Sequence, residues 1–378
     1  MKRFLLVILS ICVLGCNTAQ KKNSANTNLQ NIIHEFDSQI KKDVENDNID
    51  GSISFTIVKG NQIIHSNAHG MAKNGTKANT STIYRTGSIS KSFTAFLMMQ
   101  LVEEGVVALN DPIEKYLPEA KQLIGYSENT KITLEQLASH TSGLIREPGL
   151  NDAASGPIQE WEHKILYSIL KTSFQSNPGQ RYSYSNIGYG MLGLALSRAA
   201  NTSFITLVEE KIFEPLQMNH SFFVVPENRL QDLADGMLGG PTTSINKEIP
   251  KKEHAGRGYK VPNGGIYSTP NDLAKFMFAN TGYSKIISDE SLAIMQSKKT
   301  PENRRQSYGL GFSLYKDETF SSIGHGGSVA GYTAYFLFDR ESQYGVILMR
   351  NYNSGTTNLG LRSATLLRKL KDFDSQSK

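Results

Sequence analysis

A serine and a lysine stand three residues apart at the start of a long apolar stretch. The two residues are Ser88 and Lys91, and the apolar stretch continues from Phe93 to Val102 before Gly105. Apolar residues on nearly every face indicate a buried helix, and glycine is common directly after a helix end. At this spacing Lys91 lies one turn along the same helix face as Ser88. Because a neutral lysine amine can take the proton of a serine hydroxyl, the pair predicts a nucleophile with its own base.

The burial predicted for Lys91 matters for this chemistry. Burial and the positive N-terminus of a helix both disfavour the ammonium form, and therefore lower the pKa of a lysine. A Ser-x-x-Lys tetrad also occurs by chance at solvated helix starts, where it has no catalytic role. The apolar run favours the catalytic interpretation, because a lysine inside such a run is difficult to explain as a surface residue.

Two further groups of residues could serve the same site. Tyr184 and Asn186 lie in a turn before an apolar helix, so that both side chains can point into one cleft. A tyrosine near a lysine can relay a proton, and an asparagine can bind a substrate carbonyl and the lysine together. The glycine-rich segment from Gly324 to Ser328 ends a predicted strand and leaves backbone N–H groups open to a ligand. The structural alternatives are a turn that only packs its tyrosine rings and a strand-end bulge.

The elements that must position these residues follow an α+β pattern. A helical repeat over 27–47 precedes a hairpin, in which strands over 52–59 and 62–69 flank the turn Gly60-Asn61. From Ser88 to about residue 300 the chain is predicted to be mostly helical. The strands predicted after it are 309–315, 319–324, 332–338 and 344–350, and a helix follows over 357–373. We therefore expect an antiparallel sheet flanked by helices that joins both chain ends, with a large all-helical lobe inserted.

Length and composition agree with one large domain. A chain of 378 residues with 39% hydrophobic content can bury a sizeable core. We expect a single domain over 29–373, with an α/β lobe at about 29–87 and 305–373 and a helical lobe at about 88–304. Residues 374–378 would be a tail. The net charge of +5 is modest, and no basic stripe with interleaved aromatic residues is present, so nucleic acid is not an expected partner.

The N-terminus has the pattern of an export signal. Residues 1–16 combine Lys2 and Arg3 with a short apolar core that ends at Cys16. This end resembles a bacterial lipobox, in which the cysteine is acylated; plain secretion is the alternative, because Leu14 is less usual at its position. Residues 17–28 are polar and predict a flexible tether. We expect an exported protein of the bacterial cell envelope, attached to a membrane through Cys16 and without a disulfide.

The three motifs, taken in order, resemble the serine β-lactamase and penicillin-binding protein superfamily, whose pattern is S-x-x-K, S-D-N or Y-x-N, and K-T-G. The matching segments here are Ser88-Ile89-Ser90-Lys91, Tyr184-Ser185-Asn186 and His325-Gly326-Gly327. The Y-x-N form is nearest to class C β-lactamases, DD-peptidases and their esterase and D-aminopeptidase relatives. Further similarity occurs at 140–144, 213–218 and 264–269, so the resemblance covers about residues 30 to 370.

The resemblance implies roles for these residues. Ser88 would form an acyl-enzyme, and Lys91 and Tyr184 would share the proton transfers, with the identity of the base left open. Substrate would be bound by Asn186, His325, Gly326 and Gly327, and the oxyanion by the N–H groups of Ser88 and Ser328. The implied partner is a small-molecule or peptide substrate, and neither a metal nor an organic cofactor is implied.

The third motif departs from the β-lactamase pattern, because His325 and Gly326 replace lysine and threonine. With an unperturbed pKa of about 6.5, His325 would become charged only as the pH falls towards 6. We therefore expect weak recognition of β-lactam carboxylates, improving towards that pH. The expected function is a serine hydrolase that cleaves an ester, amide or D-amino-acid peptide bond. The alternatives are a class C-type β-lactamase and a non-catalytic penicillin-binding sensor module.

We predict that Cys16 becomes the acylated N-terminus of the mature protein. The intact mass of protein extracted from the membrane fraction should equal that of a chain beginning at Cys16 plus its lipid. The Cys16→Ser variant should lack this mass. An unacylated N-terminus at any other residue would contradict the prediction.

Overall fold

The computed structural model describes residues 9–240, 243–302 and 306–377. Within these residues the chain forms an eight-stranded antiparallel sheet with helices on both faces. The α-helices are α1 (Leu9–Asp47), α2 (Ser90–Glu103), α3 (Leu134–Ala138), α4 (Trp161–Ile169), α5 (Asn186–Ala199), α6 (Phe204–Val208), α7 (Glu248–Lys252), α8 (Val261–Gly264), α9 (Pro270–Asn280), α10 (Asp289–Met295) and α11 (Leu359–Ser377). The strands are β1 (Ser52–Lys59), β2 (Gln62–Lys73), β3 (Thr76–Lys77), β4 (Tyr84–Arg85), β5 (Tyr267–Ser268), β6 (Gln306–Tyr308), β7 (Ser313–Lys316), β8 (Ser321–Val329), β9 (Tyr332–Phe338) and β10 (Tyr344–Arg350).

The sheet joins the two ends of the chain, which confirms the α+β prediction. Its strand order is β3-β2-β1-β10-β9-β8-β7-β6, so the N-terminal hairpin pairs directly with the last strand. Successive residues of β10 point to opposite faces. Val346 and Leu348 pack in the core that includes α1 and α11, whereas Ile347 and Met349 pack in the larger core that includes α2 and α9.

The strands differ from the sequence prediction in several places. The strand predicted over 309–315 begins only at Ser313, in β7, and Gln306–Tyr308 forms a separate strand, β6. The glycine-rich third motif lies inside β8 rather than at a strand end, and β8 pairs with β9 without a bulge from Ile323 to Val329. Strands β4 and β5 form a separate two-stranded pair that was not predicted, and β5 lies within the region predicted as mostly helical. Each contains two residues, which is too short for an alternating pattern to be visible in the sequence.

Helix α1 contains the helix predicted over 27–47 but begins at Leu9, so it also includes residues 17–28, where the sequence predicts a flexible tether. Those residues include neither glycine nor proline, so no helix-breaking residue interrupts them. The start of the predicted signal, residues 1–8, lies outside the described residues. At the other end α11 continues to Ser377, into the predicted tail.

No single helix in the described ranges is both long and apolar enough to cross a membrane. Helix α5 and the helical segment Phe204–Phe213 are long and apolar enough when taken together, but they form a pair bent by 86°.

A buried carboxylate attaches α1 to the end of β10. Asp47 is 1% exposed and accepts hydrogen bonds from the Tyr352 hydroxyl (2.8 Å) and from the backbone N–H groups of Thr356 (2.6 Å) and Thr357 (2.8 Å). The Arg350 guanidinium lies 3.8 Å away. One side chain therefore satisfies several buried donors at the junction of the two chain ends.

We expect Asp47→Ala to lower the free energy of unfolding by at least about 2 kcal/mol, because each buried donor left without an acceptor costs roughly 1–3 kcal/mol. Urea unfolding monitored by circular dichroism measures the change. The exposed Glu45→Ala on the same helix is the control and should change stability by less than about 0.5 kcal/mol. Equal stability of the two variants would show that the Asp47 contacts do not stabilise the fold.

Candidate active site

Two glycines allow the Ser88 turn to touch strand β8. Ser88 lies in the 3₁₀ turn Gly87–Ile89, directly before α2, and Gly87 has a φ of +55°, which favours glycine. A Cβ on Gly87 would lie 2.8 Å from the backbone nitrogen of Ser328, and a Cβ on Gly327 would lie 3.1 Å from that of Ser88. The absence of both side chains therefore brings the N–H groups of Ser88 and Ser328 into neighbouring positions.

Lys91 lies at the centre of the site and is fully buried. Its Nζ is 3.1 Å from Ser88 Oγ, 2.8 Å from Asn186 Oδ1 and 3.2 Å from the backbone oxygen of Asn263. Asn263 in turn donates its side-chain N–H to the backbone oxygen of Asn186 at 2.9 Å. Helices α2, α5 and α8 thus meet around one amine.

The surroundings of Lys91 disfavour its charged form. Burial holds the pKa of Lys91 well below its usual range, and the Glu147 carboxylate opposes this effect only in part. Neighbouring cations lower the pKa of Lys91 further. These cations are Lys260, Arg146 and Arg257.

Tyr184 lies beside the same amine, with its ring centre 4.7 Å from Lys91 Nζ. Its ring also packs on His140, at 4.1 Å between centroids, and His140 Nδ1 accepts the Ser185 N–H at 3.1 Å. Burial raises the pKa of Tyr184 to about 12, although its hydrogen bond with Ser88 opposes the shift. Tyr184 is therefore a neutral phenol near pH 7.

Asn186 begins α5, and its amide is held in one orientation. Its Nδ2 donates to Glu147 Oε1 at 2.5 Å, while its Oδ1 faces Lys91. Glu147 also accepts a hydrogen bond from the Tyr259 hydroxyl and pairs with Lys260 at 3.1 Å. Because an ionised carboxylate only accepts hydrogen bonds, the amide nitrogen must point towards Glu147 and the oxygen towards Lys91.

Glu147 and Asn263 also shape the site, although no sequence pattern indicates either of them. Glu147 is part of a charged pair in a loop, and Asn263 stands in a short apolar helix. Neither residue belongs to a periodic pattern or to a spacing typical of catalysis. The contacts that bring these two residues to the site form only when the chain is folded.

His325 lies at the site but does not face it as a charged group. It is 4% exposed, its Nδ1–H donates to the Gly326 oxygen at 2.6 Å, and its Nε2 accepts the Tyr308 hydroxyl at 2.9 Å. Burial, with the nearby Lys91, lowers the pKa of His325 to about 3. The prediction that His325 becomes charged as the pH falls towards 6 is therefore wrong, because a buried ring with both nitrogens occupied has no solvent to stabilise its charge.

Gly326 and Gly327 face in different directions. A Cβ on Gly326 would lie 3.1 Å from the ring of Tyr335, whereas a Cβ on Gly327 would meet Thr86 and Ser88. Gly326 therefore brings only its backbone to the site, and Gly327 permits the close approach of the Ser88 turn. In the described ranges no three His, Cys, Asp or Glu side chains are grouped as metal ligands.

Comparisons with known proteins identify the family of the chain and its fold. The sequence model of the family described as Beta-lactamase matches residues 36–368. Beta-lactamase-like protein 2 of Dictyostelium discoideum is 30% identical over 368 residues, which are 92% of this chain and 65% of that protein. The chain thus spans slightly less than two thirds of the length of that relative.

Solved structures share the fold. The octameric penicillin-binding protein homologue from Pyrococcus abyssi superposes with a TM-score of 0.77 and 26% identity, covering 90% of this chain and 77% of that one. A mutant class C beta-lactamase superposes with a TM-score of 0.74 and 19% identity, covering 90% and 97%. These similarities confirm the resemblance and the fold class inferred from the three motifs.

We predict that Gly327→Ala lowers kcat/KM by roughly 10²–10³-fold, the cost of losing one oxyanion donor, because the new Cβ would push the Ser88 turn away from β8. Hydrolysis of a short nitrophenyl ester measures the effect. The control is Gly149→Ala, where a Cβ would lie 3.6 Å from the nearest atom. Comparable activity in the two variants would show that contact between the turn and β8 is not required.

We predict that Glu147→Gln shifts the acidic limb of the pH profile of kcat/KM to lower pH. The Glu147 charge raises the pKa of Lys91, so its removal lowers that pKa and keeps the amine neutral at lower pH. The exposed Glu160→Gln is the control. A limb that stays in place, or that moves to higher pH, would contradict the coupling between Glu147 and Lys91.

Proposed function

The chain belongs to the Beta-lactamase family, and we propose that it is a serine hydrolase acting through a covalent acyl-enzyme on Ser88. The observation that carries the proposal is the fully buried Lys91 amine, 3.1 Å from Ser88 Oγ. The proposed substrate has an ester, an amide or a D-amino-acid peptide bond. Proteins with this fold include a penicillin-binding protein homologue and a class C beta-lactamase. Their presence supports the proposal that the substrate carries an acyl group.

A count of hydrogens supports Lys91 as the base. A neutral amine has two N–H donors and one lone pair. Asn186 Oδ1 and the Asn263 oxygen can only accept hydrogen bonds, so they use both N–H donors. The lone pair is then left for the Ser88 hydroxyl, which is the arrangement that a general base requires.

Acylation follows from this arrangement. Ser88 Oγ forms a bond to the substrate carbonyl carbon as its proton passes to Lys91 Nζ. The carbonyl oxygen becomes an oxyanion that the N–H groups of Ser88 and Ser328 stabilise. The bond to the leaving group then breaks, and the proton returns from Lys91, by way of the neutral Tyr184 phenol, to the leaving atom.

Deacylation reverses these roles. A water molecule gives its proton to the Lys91 and Tyr184 pair while its oxygen forms a bond to the acyl carbon. The bond from that carbon to Ser88 Oγ breaks, and Ser88 recovers the proton. The product acid leaves, and the enzyme returns to its starting state without a metal or an organic cofactor.

We further propose that this hydrolase is exported and anchored through Cys16.

The test combines labelling with a substrate panel. A fluorophosphonate probe or a fluorescent penicillin should label the wild type, Ser88→Ala should abolish labelling, and Lys91→Ala should reduce its rate by orders of magnitude. The exposed Ser81→Ala is the matched control. The panel contains nitrophenyl esters, D-Ala-terminated peptides and a chromogenic cephalosporin.

Equal labelling of wild type and Ser88→Ala would overturn the nucleophile assignment. Labelling that depends on Ser88 without turnover of any panel substrate would instead favour the penicillin-binding sensor. Efficient turnover of the cephalosporin alone would favour a class C-type β-lactamase.

A further inference from the structure

Arg146 lies beside Tyr184, and its guanidinium makes few polar contacts with the described residues. Its side chain is 66% exposed, and its guanidinium carbon lies 4.9 Å from the centre of the Tyr184 ring. Its backbone oxygen accepts the Asn186 N–H at 2.8 Å, which holds this loop against the second motif. Its Nε lies 3.7 Å from Glu147 Oε1, and neither Nη1 nor Nη2 donates a hydrogen bond to another described residue. Both Nη groups, which carry four N–H donors, therefore remain available at the mouth of the site.

Glu147 neutralises Arg146 only in part, because its carboxylate also serves other partners. It accepts hydrogen bonds from Asn186 and Tyr259 and pairs with Lys260 at 3.1 Å. Two cations and one anion thus meet at this rim, which leaves one positive charge in excess.

A second group of charges nearby has the same sign. The buried Arg85 and Arg257 both pair with the single carboxylate of Glu253, at 2.6 and 2.5 Å. This group also holds one positive charge in excess. The potential around the site therefore favours an anionic ligand.

The third motif does not supply a carboxylate-binding group. His325 is neutral with both ring nitrogens occupied, and Gly326 has no side chain. A guanidinium presents a planar pair of donors that matches the two oxygens of a carboxylate. Arg146 is the exposed cation beside Tyr184 that has this geometry.

We propose that Arg146 binds a carboxylate group of the substrate and thereby makes the site selective for anionic esters or amides. The inference rests on the proposed function, since it names the substrate class of the same site. The carboxylate would lie over the outer edge of Tyr184, next to the reacting carbonyl, rather than against β8. The carboxylate-binding role that the third motif lacks would thus be taken by the loop before α5.

The test compares matched substrates that differ by one negative charge. One pair is 4-nitrophenyl hydrogen glutarate and its methyl ester, with the charge on the acyl side. The other pair is 4-acetoxybenzoate and its methyl ester, with the charge on the leaving group. The preference for the anion is the ratio of the two kcat/KM values within a pair. Arg146→Gln should lower this ratio roughly 10–100-fold in one of the pairs, mainly through KM of the anion, because a charged hydrogen bond is lost.

Controls separate binding from a structural effect. Arg146→Lys should restore part of the preference, because it keeps the charge but not the fork of donors. The exposed Arg181→Gln should leave the ratio unchanged. If Arg146→Gln lowers both members of each pair equally, or changes neither, the carboxylate-binding role is overturned.

A binding measurement does not depend on turnover. In the Ser88→Ala background, N-acetyl-D-alanine should bind more tightly than N-acetyl-D-alaninamide, and Arg146→Gln should remove the difference, as measured by NMR titration. Equal affinities before the Arg146 substitution would overturn the inference. If the fluorophosphonate and penicillin probes do not label Ser88 of the wild type, yet the charge preference in binding persists, the proposed function is contradicted and the Arg146 site is supported.

Discussion

The burial of one amine, that of Lys91, determines how the site is built. A lysine removed from water must find partners for its donors, and here these are the oxygens of Asn186 and Asn263. Each partner belongs to a different helix, α5 or α8, so the need to satisfy one amine fixes the arrangement of three helices. The same burial lowers the pKa of the Lys91 amine, and the proposed activation of Ser88 depends on this shift.

The second constraint is the close approach of two backbones. The Ser88 turn and strand β8 meet where Gly87 and Gly327 have no side chains. Strand β8 is in turn held by full pairing with β9, which continues through β10 to the N-terminal hairpin. The sheet thus connects both chain ends to one half of the proposed oxyanion site, while the helices position Lys91, the proposed base. Pairing and packing errors in either layer would separate the donors from the nucleophile.

Residues whose role is local could be predicted from the sequence. Ser88 and Lys91 share a helix face, Tyr184 and Asn186 share a turn, and the hairpin 52–59 and 62–69 follows from its alternation and its Gly-Asn turn. The roles of the Glu147 carboxylate and the Asn263 carbonyl could not be predicted from the sequence. Both roles depend on segments that are distant along the chain and meet only in the fold. The neutral state of His325 could not be predicted either, because it results from burial in the folded chain. The Tyr308 hydroxyl that occupies its Nε2 comes from another strand, β6.

The central claim is that Lys91 is a base because burial keeps it uncharged. The most direct measurement is a ¹⁵N NMR titration of the lysine Nζ groups, with Lys91 assigned by the loss of its signal in Lys91→Arg. The reference is a free lysine model compound, whose side-chain amine has a pKa of about 10.4. We predict that Lys91 titrates at a pH well below that of the model compound. A Lys91 signal that titrates together with the model compound would contradict the claim, because the amine would then be an ammonium at neutral pH and could not accept the proton of Ser88.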